Sequence, residues 1–273
     1  MRHGRPLLLL PVVAALGLGG CSGAVHRLPQ VDGGQLSLAQ SEVRAQAGPP
    51  ARRTVSDDEV METVNAALAR IRPAATQVCQ EMRTGTCRWS FRLSSDRSLN
   101  ASAGDGGVIV VNRGIVEYAR SEDEVAMVIA HEIGHQAADH LATARRNQAV
   151  GAAVGAVLLG ALGVAASAST NDRNGVLARQ GVQSGANIGA AVGRISYSKE
   201  QEREADYIAA LILYRAGMDL DKARAFLVTM ARSTGQRETG MLDTHPAGPE
   251  RLAAWDRAVA EVRASGGRLP QRN

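Results

Sequence analysis

Apolar residues recur at helical spacing behind three similar polar openings, each a serine followed three residues later by Glu or Gln. In that arrangement the serine hydroxyl accepts an N–H that the first helical turn leaves unpaired, and the acid or amide reaches back to the serine N–H. Ser56-Asp57-Asp58-Glu59 precedes Val60, Val64, Leu68 and Ile71, and the helix they predict is interrupted at Pro73 and continues towards Met82. Ser121-Glu122-Asp123-Glu124 precedes Val125, Val128, Ile129 and Ile133, a stripe that faces a core. Ser198-Lys199-Glu200-Gln201 opens a third helix that runs to a stop at Gly217. Further helices fit Leu220 to Thr234 and Pro249 to Ala264, the second with proline in its first turn, where the missing N–H is not needed. Trp89 to Leu93 and Val108 to Val111 read as strands on either side of the turn-rich Asn100 to Gly107. The pattern predicts an α+β domain, mainly α, with a small sheet.

Between the second and third of these helices, Ala149 to Ser169 carries no charge, and Gly181, Gly185, Gly189 and Gly193 recur every four residues. Glycine inside a helix costs about 1 kcal/mol relative to alanine, so such a helix needs close packing to compensate. Small residues at this spacing, Gly151 and Gly155 included, let helix backbones approach. A Gly/Ala-rich helical hairpin over 149–195 is expected, turning at Asn171 to Gly175 and touching membrane or substrate beside the functional site. A mobile, low-complexity loop fits the composition as well, whereas a membrane span suits it less, because Gly and Ala add little to insertion.

The N-terminus changes where the domain is expected to work. Residues 1–20 read as an export signal, with Arg2 and Arg5 before an apolar stretch from Leu7 to Leu18. Leu18-Gly19-Gly20-Cys21 resembles a bacterial lipobox, which would lipidate Cys21 and tether the chain to a membrane, with Ser22 suggesting the periplasmic face of the outer membrane. The other reading is an ordinary secretory signal with a chance cysteine. Residues 21–53, rich in Gly, Gln, Ser and Pro, are expected as a flexible tether, 54–265 as the folded domain and 266–273 as a tail. Outside the cytosol, Cys79 and Cys87, bracketing a short turn at Gly85, suit a local disulfide, with two buried thiols as the alternative.

Composition narrows the classes. Aromatics make up 3% of the chain, so the core rests on Ala, Val, Leu and Ile. Of 31 basic residues, Arg2 and Arg5 belong to the leader, and the remainder nearly balance the 27 acidic ones. Basic residues are dispersed and not interleaved with aromatics, which argues against a nucleic-acid groove.

The chemistry sits behind the second serine opening. His131-Glu132-Ile133-Gly134-His135 is an H-E-x-x-H motif, and two residues four apart differ by about 40° around a helix, so both imidazoles can face one ion. Glu132 is turned away from that pair, where it can deprotonate a water rather than bind the ion. A catalytic zinc takes three protein ligands and keeps one position open. Glu202 and Asp206 share a helix face, so Glu202 can serve as third ligand while Asp206 holds the second N–H of a ligand histidine; Glu204 points elsewhere. His140, about 140° around from His135 on a continuous helix, is expected to face another surface. Arg251 either pairs with a carboxylate near the site or is an exposed surface residue.

Four ordered blocks, Gly106 to Val111, Glu124 to His135, Ser198 to Asp206, and Thr244-His245-Pro246 with Arg251, resemble the HtpX-like and Oma-type zinc metallopeptidases, relatives of the C-a-a-X prenyl proteases. The resemblance covers roughly Ser56 to Ala264. It implies a zincin-type fold, one Zn2+ per chain on His131, His135 and Glu202, and Glu132 as general base. It also implies that His245 can approach the metal, either closing its open position or donating to the oxyanion, although a turn histidine set by Pro246 is the plainer reading. Val108, Ile109 and Val110 would form an edge strand over the cleft, on which an extended substrate could pair through its backbone. The expected function is a zinc-dependent endopeptidase of the bacterial envelope acting on unfolded, misfolded or misassembled envelope proteins. A chaperone-like outer-membrane assembly factor is the alternative, and a purely structural zinc domain would have no use for Glu132.

Overall fold

The computed structural model describes residues 23–46, 50–169, 175–192, 197–233, 245 and 248–273. The leader at 1–20, Cys21, the turn residues 171–174, Gly193, Thr244 and Pro246 lie outside them.

Each serine opening starts a helix. Ser56 Oγ accepts the Glu59 N–H and α2 (Asp57–Met82) follows, running through Pro73 without a break and ending at Arg83 in the left-handed region. Ser121 caps α4 (Glu122–Ala137), and Ser198 with Gln201 forms a full capping box at α7 (Lys199–Arg215). The remaining helices are α1 (Gly33–Ala45), α3 (Arg113–Tyr118), α5 (His140–Ser169), α6 (Val176–Val192), α8 (Leu220–Ser233) and α9 (Pro249–Ser265). Helix α4 runs through the centre, buried along nearly its whole length against α2, α7 and α8. A helix surrounded in this way can be apolar on every side, and only its few polar residues then need partners. Trp255, Phe226 and Tyr207 are the largest of the fully buried side chains around it.

The sheet has three strands, β1 (Ser90–Ser94), β2 (Ala101–Ala103) and β3 (Val108–Asn112), in the order β1-β3-β2. Strand β3 pairs parallel with β1 and antiparallel with β2. It is therefore the middle strand, which corrects the expectation that Val108, Ile109 and Val110 lie on an edge. The reason is the stretch read as turn alone: Ala101–Ala103 folds back along β3 through a glycine turn in which Gly106 and Gly107 take φ of 65° and 80°. A disulfide joins Cys79 at the end of α2 to Cys87 before β1.

Residues 23–45 are not a loose tether. Ala24 to Arg27 runs beside residues 271–273, with the Arg27 N–H donating to Gln271 O at 2.8 Å and the Asn273 N–H to Val25 O at 2.9 Å. Helix α1, opened by a reciprocal Asp32 and Gln35 cap, lies on α9 and α8. It buries only Ala39 fully, and Glu42 binds Arg224 through both carboxylate oxygens. So small a buried face leaves no apolar stripe for the sequence pattern to reveal.

Helices α5 and α6 pack on each other as a hairpin. The backbones touch at glycine: a Cβ on Gly163 would stand 2.5 Å from Leu177 O, and one on Gly181 would stand 2.3 Å from Leu159 O. Outward from that contact, Val150, Val154, Val157, Leu158, Leu162 and Val164 are exposed. Over His140–Ala166, α5 is long and apolar enough to cross a membrane, with almost none of its apolar window buried within the protein.

Candidate metal centre

Helix α4 carries His131 and His135 one turn apart, and α7 lies against it with Glu202 and Asp206 one turn apart. Gly134 permits the crossing, since a Cβ there would stand 2.9 Å from Ala205 O and 3.0 Å from Ala205 Cα on α7. The polar groups of the two helices consequently meet. His131 Nε2 and His135 Nε2 are 3.1 Å apart, and each lies about as close to Glu202, at 3.5 and 3.4 Å from its two oxygens. His245 brings a further ring, its Nδ1 2.9 Å from Glu202 Oε1 and 3.3 Å from His131 Nε2. One donor atom from each of these four buried residues falls within 4.8 Å of the others.

The residues fit a divalent cation on their own chemistry. Two imidazoles and a carboxylate are the kind of N and O donor set that divalent metal sites use, and His245 adds a third imidazole beside them. Glu132 is fully buried, yet neither of its carboxylate oxygens has a hydrogen-bond partner. Burying a carboxylate without partners is costly, and the cost is relieved when a cation and a water share its cavity.

Around the cluster, Asp206 accepts from His131 Nδ1 at 2.8 Å and from Arg251 at 2.7 and 2.8 Å. Arg251 also places Nη1 3.0 Å from Glu202 Oε2 and is buried, which decides between its two sequence readings. Burial alone would raise the pKa of Glu202, but His245 and Arg251 outweigh it and hold that carboxyl well below its usual range. Asp206 is likewise lowered against burial, by Arg251 and His131. Burial pushes His135 well below the ordinary imidazole value, so its ring is neutral as a ligand must be. For His131 the balance is reversed: burial and Arg251 lower its pKa, and Asp206 and Glu202 raise it further, to about 9.

Residues 65–259 match the description of peptidase family M48. The chain belongs to peptidase family M48. It resembles the Beta-barrel assembly-enhancing protease of Escherichia coli K12, 33% identical over 165 residues that make up 60% of this chain and 33% of that one. It is also similar to the Mitochondrial metalloendopeptidase OMA1 of Schizosaccharomyces pombe, 28% identical over 177 residues, 64% of this chain and 48% of that one. The Metalloprotease LoiP of Escherichia coli K12 is 27% identical over 162 residues, 59% of each chain. The chain spans about a third of the length of the first of these relatives. In this member of the M48 family, the buried His131, His135, Glu202 and His245 cluster is where the fold can hold a metal ion.

Two residues of this M48 centre, His140 and Tyr197, stand where sequence spacing did not put them, while Glu204 points away from the ligands as its spacing implied. His140 does not face another surface: α4 stops at Ala137, Asp139 takes φ of 57°, and the chain re-enters helix at His140 with its ring turned back onto His135, the two Nδ1 atoms 3.0 Å apart. The 140° argument assumed an unbroken helix. Glu204 does point away from the ligands, and it binds His140 Nε2 at 2.9 Å and His26 Nδ1 at 2.6 Å. Tyr197, just before the α7 cap, stacks on His135 with ring centroids 3.7 Å apart. Its one sequence signal was its rarity, one of four tyrosines in the chain.

The strand nearest α4 is β2, the outer strand, rather than β3. Gln136, beside ligand candidate His135, donates to Gly104 O at 2.6 Å, pinning the end of β2 to the helix that carries the motif.

Proposed function

We propose that this M48 chain is a zinc-dependent endopeptidase of the bacterial envelope, exported through residues 1–20, anchored in the outer membrane through a lipid on Cys21, and active on misfolded or misassembled envelope proteins. The observation that carries the hydrolase reading is Glu132, a buried carboxylate beside the donor cluster with neither oxygen in a hydrogen bond. A scaffold that only held clients would gain nothing from it. The names of the relatives, protease and metalloendopeptidase, support the same reaction, and that of the Beta-barrel assembly-enhancing protease supports an envelope setting.

His131, His135 and Glu202 would hold the zinc, which when bound supplies Lewis acidity to polarise the scissile carbonyl and acidify water. Glu132 accepts the proton of the attacking water and returns it to the leaving amine, and its freedom from hydrogen bonds leaves both oxygens available for that transfer. Asp206 fixes the His131 ring, and Arg251 fixes Asp206. His245 lies within the donor set and acts as a latch over the position that water or substrate must take. An extended client would pair with the outer edge of β2, whose backbone groups on that side have no strand partner among the described residues. Main-chain pairing selects for extended, unfolded chain and reads little sequence.

Removal of the metal tests the reading. Protein stripped with a strong chelator is expected to lose casein cleavage and to regain it when Zn2+ is returned. Full cleavage in excess chelator would contradict a metal-dependent reaction.

A further inference from the structure

Glu204 lies two residues along α7 from Glu202 and serves a separate set of partners. Its buried carboxylate accepts four hydrogen bonds, two on each oxygen. Oε1 takes the His26 N–H at 2.9 Å and His26 Nδ1 at 2.6 Å, and Oε2 takes the Val25 N–H at 2.7 Å and His140 Nε2 at 2.9 Å. A carboxylate only accepts, so His140 carries a proton on Nε2, which lets its Nδ1 serve as an acceptor. His135 Nδ1, 3.0 Å away, is then the donor. His135 thereby presents a bare Nε2 to the ligand cluster, the form a cation needs. His131 likewise places its Nδ1 on a carboxylate, that of Asp206, at 2.8 Å.

The segment bearing His26 is itself held in place. Asn273 Nδ2 donates to Ala24 O and His26 O, each at 3.1 Å, and the Asn273 N–H binds Val25 O. His26, Glu204, His140 and His135 are all buried, so the path from this strap to the ligand is closed to water.

We propose that His26 is a positioning residue of the metal centre: the strap at Ala24 to Arg27 fixes Glu204, Glu204 fixes His140, and His140 sets the ring and tautomer of His135. The N-terminal segment is then part of the site, although His26 lies 109 residues before His135 in the chain. This rests on His135 binding the cation, as proposed above.

The test is Zn2+ affinity of the exported chain, measured by competition with a chromophoric chelator, with thermal unfolding of the metal-free protein followed in parallel. His26→Ala should weaken Zn2+ binding by about tenfold, the lower range for partners that orient metal ligands. His26→Asn, which keeps a side-chain donor, should recover most of that loss. His140→Phe should weaken binding at least as much, and adding His26→Ala to it should cost little further, because the path is already cut. Equal affinity in the wild type and His26→Ala, or losses that simply add in the double variant, overturns the proposal. Should His26→Ala not fold, the comparison of His26→Asn with His140→Phe still decides: unchanged affinity in His140→Phe overturns it. A wild-type chain that binds no Zn2+ overturns the metal-centre reading itself, and this proposal with it.

Discussion

His245 has its Nε2 3.5 Å from Glu132 Oε1 and its Nδ1 2.9 Å from Glu202 Oε1, and under the proposed mechanism it occupies space that an attacking water or a substrate carbonyl would need. A histidine in that place competes with the reaction it adjoins. His245→Ala is accordingly expected to raise basal casein cleavage severalfold, and activity unchanged or abolished would refute the latch. That His131 and His135 share one face of α4, and Glu202 and Asp206 one face of α7, was legible because such spacing is a local property: four residues always return to nearly the same face. Asp206 followed from the same rule. His140 did not, because the rule fails across the break at Asp139, and nothing in a one-dimensional pattern marks a residue that leaves the right-handed helical region. His26 was out of reach for a different reason: its partner Glu204 is distant in the chain, and the segment around it has no periodicity to place it.

At the scale of elements, the site depends on how closely α4 and α7 cross, and Gly134 sets that distance. Gly134→Ala would put a methyl group within 3 Å of the α7 backbone, where no flexible side chain can yield. The helices must separate or shift. We expect a stability loss of about 1–3 kcal/mol, the usual cost of overpacking, and a Zn2+ affinity at least tenfold weaker; wild-type affinity in this variant would show that the crossing distance is not what assembles the ligands. Gly/Ala composition left a helical hairpin and a low-complexity loop equally open, and the α5–α6 packing, with backbones close at Gly163 and Gly181, is what the structure adds. What the hairpin's exposed apolar face meets was not legible. We propose that the face on α5 lies against lipid, and limited proteolysis measures it: cleavage within 149–193 should slow in the presence of phospholipid vesicles, and equal rates with and without vesicles would count against membrane contact. The sheet was half legible, since its two longer strands carry β-branched or aromatic residues. Ala101–Ala103 has neither, and this short strand is the one that moves β3 from the edge to the middle.

Across the whole molecule, the M48 domain is closed by segments that read as irregular. The strap at 24–27, the α1 helix and residues 271–273 wrap the helical core, and their contacts are hydrogen bonds and an Arg224–Glu42 pair rather than large apolar surfaces. That is why composition suggested a tether, and why only the assembled structure shows residues 24–27 pairing with 271–273 and binding Glu204. The core follows from the sequence in part, because the Val125, Val128, Ile129 and Ile133 stripe of α4 must be covered, while the burial of its polar residues as well shows only in the structure. The central claim is that Glu132, buried and free of hydrogen bonds, is the base of a metal-dependent hydrolysis. Casein cleavage by zinc-loaded protein, compared with Glu132→Gln at equal zinc occupancy and with His245→Ala in the background of both, tests it most directly. The account predicts cleavage that is reduced by at least a hundredfold in Glu132→Gln while zinc remains bound, in keeping with the usual contribution of a general base. Cleavage retained in Glu132→Gln, or none by either protein even with His245 removed, would contradict it.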